Sequence, residues 1–167
     1  MRWSRPSDTR ERWYCVGMAE VPAMLSISPQ KCRVSAHQGL LALVLTENTA
    51  LFTAISNDVG YPAAFRRQVE AMVRNDDLVI GLSTSGSSPN MIEAIRAAKQ
   101  LGAKTVALLG AHGELADVAD IAIRIPSQSV PRIQEPHMLI GHLICEIAQR
   151  MTTGDYQTRF AASAVQS

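Results

Sequence analysis

The sequence predicts a three-layer α/β/α domain in which helices cover both faces of a parallel sheet. Its strand-like segments are short, continuous apolar runs, as expected for strands that are buried on both sides. The segments between them carry apolar residues at helical spacing, and strands that alternate with helices are typical of this class. The length of 167 residues suits one domain with a sizeable core.

Strand and helix patterns alternate from about residue 40 onward. The predicted strands are LLALVLT at 40–46, DLVIGLS at 77–83, KTVALLG at 104–110 and IAIRIP at 121–126. The predicted helices are NTALFTAIS at 48–56, AAFRRQVEAMV at 63–73, Pro89–Leu101, GELADVA at 113–119 and Arg132–Arg150. Gly102 ends the third helix, because glycine readily adopts the left-handed conformation found there.

The first forty residues show no sustained period of a helix or a half-buried strand. Pro22 and Pro29 interrupt them, and both tryptophans of the chain, Trp3 and Trp13, lie among them. An irregular or disordered extension is the simplest interpretation. We therefore divide the chain into an atypical segment at 1–39, a domain at 40–151 and a tail at 152–167.

Composition excludes several classes of partner. The 16 Lys and Arg residues against 15 Asp and Glu residues leave a net charge of +1, so a nucleic-acid partner is not expected. No uninterrupted apolar stretch could span a bilayer, and MRWSRPSDTRERWY at 1–14 lacks the apolar region of a secretory signal. Cys15, Cys32 and Cys145 are odd in number and widely spaced, which predicts reduced thiols in a cytoplasm.

The segment GLSTSGSSPN at Gly81–Asn90 places five hydroxyl side chains between a buried strand and a helix. A helix N-terminus at the end of a parallel strand offers free backbone N–H groups and the positive end of the helix dipole, which suits a phosphate. The predicted contacts come from Ser83, Thr84, Ser85 and Ser88; Ser88 is also the predicted N-cap, Gly86 permits close backbone approach, and Pro89 suits the first helical position. The motif GxxxxGK[ST] is absent, so a phosphomonoester fits better than a nucleoside triphosphate. The alternative is a serine-rich turn with an ordinary cap.

This loop resembles the phosphate loop of the sugar isomerase (SIS) domain. TAISNDVGY at 53–61 and RIQEPHMLIGHLICE at 132–146 narrow the resemblance to the phosphoheptose isomerases, over about residues 40–150. It implies a five-stranded flavodoxin-like sheet in a homotetramer with active sites between subunits. The implied reaction converts sedoheptulose 7-phosphate to D-glycero-D-manno-heptose 7-phosphate.

The resemblance also assigns roles to individual residues. It places the four hydroxyl residues of the loop on phosphate-binding positions, and Asn57 and Asp58 on a pair that contacts the substrate. It places Gln134 on a position that contacts the substrate, and both Gln134 and His142 on positions that bind zinc in metal-containing members. His142 is also the implied catalytic acid/base.

The residues themselves support these roles only in part. Gln134 and His142 are eight positions apart, which is about 80° around a helix, so they can address one site. His137 points elsewhere and is expected to pack in the core. A lone histidine on an apolar helix is usually structural, and Asn57-Asp58 alone would be read as a helix-ending turn.

Half of the expected acid/base machinery is missing from the sequence. Aldose–ketose isomerisation moves a proton between adjacent carbons through an enediol, which needs a base, an acid partner and stabilisation of the developing oxyanion. The resemblance implies that the second group is a glutamate near a zinc-binding histidine, in an N-terminal GNGGSAxDAQHFAAE segment. No such string occurs here, and Glu20 and His37 lack its spacing and setting.

The genetic code offers an explanation. When Val16–Lys31 is back-translated and read from the third base of each codon, Met18–Ala19 gives glycine and Gln30–Lys31 permits glutamate. Read from Cys15 throughout, the shifted frame can spell CGNGGSAGDAQHFAAE. Our hypothesis is that residues before about Leu40 are out of frame. We therefore expect this chain to lack one strand of the sheet and to be aggregation-prone, with negligible isomerase activity.

Three functions remain open at this stage. The first is a phosphoheptose isomerase. The second is a non-catalytic SIS module that binds a sugar phosphate and acts through protein partners. The third is an inactive remnant. Only the first requires both halves of the acid/base pair, so turnover of sedoheptulose 7-phosphate distinguishes it from the others.

Overall fold

The computed structural model describes residues 12–17 and 41–153, which form a five-stranded sheet flanked by helices. The strands are β1 (Arg12–Gly17), β2 (Leu41–Val44), β3 (Leu78–Ser83), β4 (Lys104–Leu109) and β5 (Ile121–Arg124). The helices are α1 (Thr49–Asp58), α2 (Ala63–Met72), α3 (Pro89–Gln100), α4 (Leu115–Val118) and α5 (Val130–Thr153). Within these ranges, no helix is long and apolar enough to cross a membrane.

The strand order is β2-β1-β3-β4-β5, and every pairing in it is parallel, as the sequence predicts. This is the flavodoxin-like order, in which the direction of winding reverses between β1 and β3. Connections that leave these two strands diverge, so a crevice opens at their carboxyl ends. The loop after β3 therefore starts at the position where sheets of this kind bind ligands.

Apolar clusters lie on both faces of the sheet. On one face, Phe65 and Val69 of α2 pack with Met91 and Ile95 of α3 and with Val79 of β3. On the other face, Ile140 and Ile144 of α5 pack against a smaller cluster of strand residues, namely Val44, Ile80, Leu82 and Leu108. The predicted three-layer arrangement is confirmed.

The expectation that the sheet lacks a strand is wrong. Residues 12–17 form β1 in the interior of the sheet, between β2 and β3, where Trp13 pairs with Ala42 of β2 and with Leu78 of β3. The segment RWYCVG is rich in aromatic and β-branched residues, which favour strands. It is too short to show a period, and a central parallel strand need not alternate. The hypothesis that residues before about Leu40 are out of frame includes β1, and residues 18–40, to which it also applies, lie outside the described ranges.

The ends of α3 are set by the residues that the sequence singles out. Gly102, just after the helix, has a φ of +84°, which confirms its role as the helix stop. Ser88 occupies the N-cap position as predicted, but its side chain makes no capping hydrogen bond. Its hydroxyl is instead directed to other serines, and this arrangement forms the candidate site.

Candidate active site

Three serine hydroxyls meet at the carboxyl end of β3. Ser83 Oγ lies 3.1 Å from Ser88 Oγ and 3.4 Å from Ser85 Oγ, and Ser85 Oγ lies 3.4 Å from Ser88 Oγ. Ser83 is buried, Ser88 is half-buried and Ser85 is exposed, so the group opens to solvent on the side of Ser85. We call these three hydroxyls the serine triangle.

The backbone of the loop orients two of these hydroxyls. The Gly86 N–H donates to Ser83 Oγ at 3.1 Å, and the Ser87 N–H donates to Ser85 Oγ at 3.2 Å. Because each oxygen already accepts a backbone hydrogen, its own O–H remains to donate. The serine triangle thus presents hydroxyl donors beside the amino end of α3, and an anion is the matching ligand.

The site contains no formal charge of its own, because residues 83–90 are all uncharged. A phosphate would be held there by hydroxyl donors and the helix dipole rather than by a lysine or arginine. Thr84, the fourth predicted contact, is half-buried, and its carbonyl accepts a hydrogen bond from the Gly110 N–H at 3.2 Å. Gly110 begins a second loop, residues 110–115, which contacts the first and which the sequence analysis did not predict. Its signal was the pair of glycines in GAHG, directly after β4.

Asn57 and Asp58 form the carboxyl end of α1, where the Asn57 side-chain amide donates to Asp58 Oδ1 at 2.9 Å. Both are exposed. An ion pair of 2.8 Å between Arg66 Nε of α2 and Glu93 Oε2 of α3 places the first turns of these helices side by side. The turn between α1 and α2 therefore lies toward the carboxyl ends of the strands, where the serine triangle is found. Asn57 and Asp58 do end helix α1, and their exposure also leaves them free to contact a substrate, so both interpretations of the pair stay open.

Gln134 and His137 lie in the first turns of α5, which approach the end of β4. Neither Gln134 Nε2 nor His137 Nε2 has a hydrogen-bond partner among the described residues, although both atoms are buried. Burial lowers the pKa of His137 below its ordinary value of 6.5, while a hydrogen bond with the Leu109 backbone opposes this shift. His137 is thus a neutral core residue, as expected, and Gln134 has an unused amide donor.

His142 lies on a different side of α5 from the residues that contact the sheet. Ile140 and Ile144 pack against the strands, and His142, two positions from each, is about 160–200° away from both around a helix. It is half-buried. Helix geometry therefore directs His142 away from the sheet of its own chain.

The described residues do not complete a zinc site. They contain no cluster of three or more His, Cys, Asp or Glu side chains that could hold a metal ion. Gln134 and His142 would supply two ligands, whereas protein zinc sites use three or four. A zinc ion would need further ligands from outside residues 12–17 and 41–153.

Both the sequence and the structure of this chain are similar to those of one family of known proteins. Residues 34–110 match the model of the SIS domain. Phosphoheptose isomerases from Sulfurimonas denitrificans and Geobacter sulfurreducens are 51% and 45% identical over 115 residues, which is 68% of this chain. The chain spans 59% and 61% of their lengths.

Two solved structures of phosphoheptose isomerases are also similar. The protein from Francisella tularensis has a TM-score of 0.77 at 31% identity, over 82% of this chain and 75% of that one. The protein from Neisseria gonorrhoeae has a TM-score of 0.75 at 33% identity, over 81% and 75% of the two chains.

Proposed function

Since this chain belongs to the phosphoheptose isomerase family, we propose that it is by descent a phosphosugar isomerase, and that its frame-restored form converts sedoheptulose 7-phosphate to D-glycero-D-manno-heptose 7-phosphate. The observation that carries the proposal is the serine triangle at the amino end of α3. Its three hydroxyls match the three terminal oxygens of a phosphomonoester in number. In this assignment Ser83, Ser85 and Ser88 bind the phosphate together with Thr84, and Asn57 and Asp58 contact the sugar.

The chemical step moves a proton between two adjacent carbons. His142 is the proposed acid/base, because imidazole exchanges protons near neutral pH. Gln134, whose buried amide donor has no partner among the described residues, is the proposed contact to the sugar. The second acid/base group is proposed to lie in the N-terminal segment read in the shifted frame.

We further propose that the active site is completed by another subunit of a homotetramer. His142 is directed away from its own sheet, and exposed apolar residues flank it on α5, where Leu139 is 60% exposed and Leu143 is 46% exposed. Helix α1 contributes no buried residue. A partner subunit that covers these faces would bury apolar surface and enclose His142.

Zinc binding is proposed only for the form that carries the shifted-frame segment. There Gln134 and His142 would join ligands from that segment, and the metal would polarise the sugar oxygens. In that form, Gln134→Ala should lower the metal content. The cytoplasmic location is proposed from the reduced state expected for the cysteines.

A non-catalytic sugar-phosphate-binding module is the second candidate. One observation favours it: the phosphate loop is complete within the described residues, whereas the acid/base pair is not. The two candidates share the phosphate site and differ in turnover. An inactive remnant would lack turnover as well. The binding module is distinguished from it by a partner protein whose binding to this chain changes when the sugar phosphate is added.

The phosphate site is tested by titrating the chain with sedoheptulose 7-phosphate and with inorganic phosphate. Replacing Ser83 and Ser85 by alanine removes two donors to a charged acceptor, each worth about 1.5–3 kcal/mol, so we expect affinity to fall at least about a hundredfold. The matched control is Ser87→Ala, because this loop hydroxyl lies outside the triangle and bonds the Ser85 carbonyl at 3.4 Å. Unchanged affinity in the double variant, or an equal loss in the control, would contradict the assignment.

A further inference from the structure

The loop after β4, residues 110–115, is hydrogen-bonded through backbone groups to residues 83–88, which we call the serine loop. The Gly110 N–H donates to the Thr84 carbonyl at 3.2 Å, and the Leu115 N–H donates to the Gly86 carbonyl at 2.8 Å. We call residues 110–115 the bracing loop. Both acceptors belong to the segment that forms the candidate phosphate site.

Glycines allow this contact, because no side chain fits between the two loops. A Cβ on Gly113 would lie 2.4 Å from the Gly86 carbonyl carbon, and a Cβ on Gly86 would lie 2.4 Å from the His112 carbonyl oxygen. A Cβ on Gly110 would lie 2.4 Å from the Thr84 carbonyl oxygen. Gly86 and Gly113 also have φ angles of +65° and +127°, which favour glycine.

The two hydrogen bonds fix the direction of two peptide groups. In a trans peptide the carbonyl and the following N–H point in opposite directions. Because the Thr84 and Gly86 carbonyls point to the bracing loop, the N–H groups of Ser85 and Ser87 point away from it. The Ser87 N–H indeed reaches Ser85 Oγ, a member of the serine triangle. The contact therefore turns carbonyl oxygens away from an anion and N–H groups toward it.

A side-chain ion pair also connects the bracing loop to α3. Arg96 of α3 pairs with Glu114, the residue after Gly113. The bracing loop is thus attached to the helix whose amino end forms the site and, through Thr84 and Gly86, to the loop that enters that helix.

We propose that the bracing loop is a positioning element of the phosphate site, and that Gly113 is the positioning residue that sets the separation of the two loops. The inference rests on the proposed phosphate binding at the serine triangle. Gly113 itself contacts no substrate in this proposal. It determines whether the peptide groups of the serine loop keep the orientation that an anion requires.

The test is to titrate the full chain with inorganic phosphate and with sedoheptulose 7-phosphate, and to compare Gly113→Ala with the unchanged protein. Displacing the serine loop should cost at least one hydrogen bond to a charged acceptor, so we expect affinity to fall at least about tenfold. The control is Gly102→Ala. Gly102 also has a positive φ, and a Cβ there would lie 2.5 Å from Asn75 Oδ1, at the opposite end of α3.

We expect Gly102→Ala to lower the unfolding temperature while phosphate affinity stays within about twofold. Gly110→Ala provides a second variant, because Gly110 lacks a positive φ and its added Cβ would meet the Thr84 carbonyl oxygen at 2.4 Å, with the movable Ile133 side chain next at 2.9 Å. It decides the question if circular dichroism shows that Gly113→Ala is unfolded. Normal phosphate affinity in folded Gly113→Ala or Gly110→Ala would overturn this inference and leave the proposed function standing. Absence of phosphate binding by the unchanged chain would overturn the proposed function and this inference with it.

Discussion

The serine loop and helix α5 carry the two halves of the proposed site, and they differ in how much of their surroundings the chain supplies. The serine loop is shaped by hydrogen bonds among its own residues and with residues 110–115. On α5, by contrast, Gln134 Nε2 is buried without a hydrogen-bond partner among the described residues, and His142 is directed away from the sheet. A phosphate-binding loop can be complete within one chain, whereas the acid/base half depends on other residues.

The largest expected effect comes from restoring the shifted reading frame between Val16 and Lys31. We expect the restored protein to isomerise sedoheptulose 7-phosphate at least about a hundredfold faster than the chain as given, because one acid/base group contributes roughly 10²–10⁴ in rate. Turnover of both proteins is measured side by side. Equal rates would show that the first forty residues are functional as they stand, and the nucleotide sequence of Val16–Lys31 tests the frame directly.

The next effect is that of His142 in the restored protein. His142→Ala should lower kcat by roughly 10²–10⁴ and change sugar-phosphate affinity much less, because proton transfer acts in the transition state. His112→Gln is the control, because this side chain of the bracing loop is exposed and the bracing loop contacts residues 84–86 through backbone groups. Turnover near normal in His142→Ala would show that this histidine has only a structural role.

The same variant tests whether the two halves of the site come from different subunits. Mixing His142→Ala with the Ser83/Ser85 double variant, after dissociation and reassembly, should restore about a quarter of the activity in a site formed by two subunits, because random pairing gives one intact site for every four. If both halves come from one chain, the mixture should remain inactive.

The smallest expected effect concerns His137, which is buried on α5 and hydrogen-bonds with the backbone of Leu109 at the end of β4. Its pKa is lowered by burial, so the folded state binds fewer protons than the unfolded state as the pH falls below about 6.5. Stability from neutral His137 is therefore present above that pH and is lost as the pH decreases from it toward the folded-state pKa. Urea unfolding at pH 7.5 and 5.5 should show a smaller difference in His137→Gln than in the unchanged protein. An equal difference would assign the acid sensitivity to other groups.

The sequence predicts the elements well where the pattern is long, and poorly where it is short or ambiguous. The strands and helices after residue 40 and the stop at Gly102 follow from apolar runs and glycine conformation. β1 was missed because RWYCVG is too short to show a period. The direction of His142 could not be predicted, because α5 has apolar residues on most of its sides: Ile133 is buried, whereas Leu139 and Ile147 are exposed. The bracing loop depends on a contact between segments that are distant in sequence.

The serine triangle has a consequence for which sugars the site would accept. Before any ligand binds, each hydroxyl already has another hydroxyl as a neighbour within 3.4 Å, so a ligand gains only the difference between the old hydrogen bond and the new one. A neutral sugar hydroxyl would exchange one neutral hydrogen bond for another, with little net gain. A phosphate oxygen is charged and forms a hydrogen bond about twice as strong. The loop would therefore discriminate against unphosphorylated sugars without a steric barrier or a basic residue.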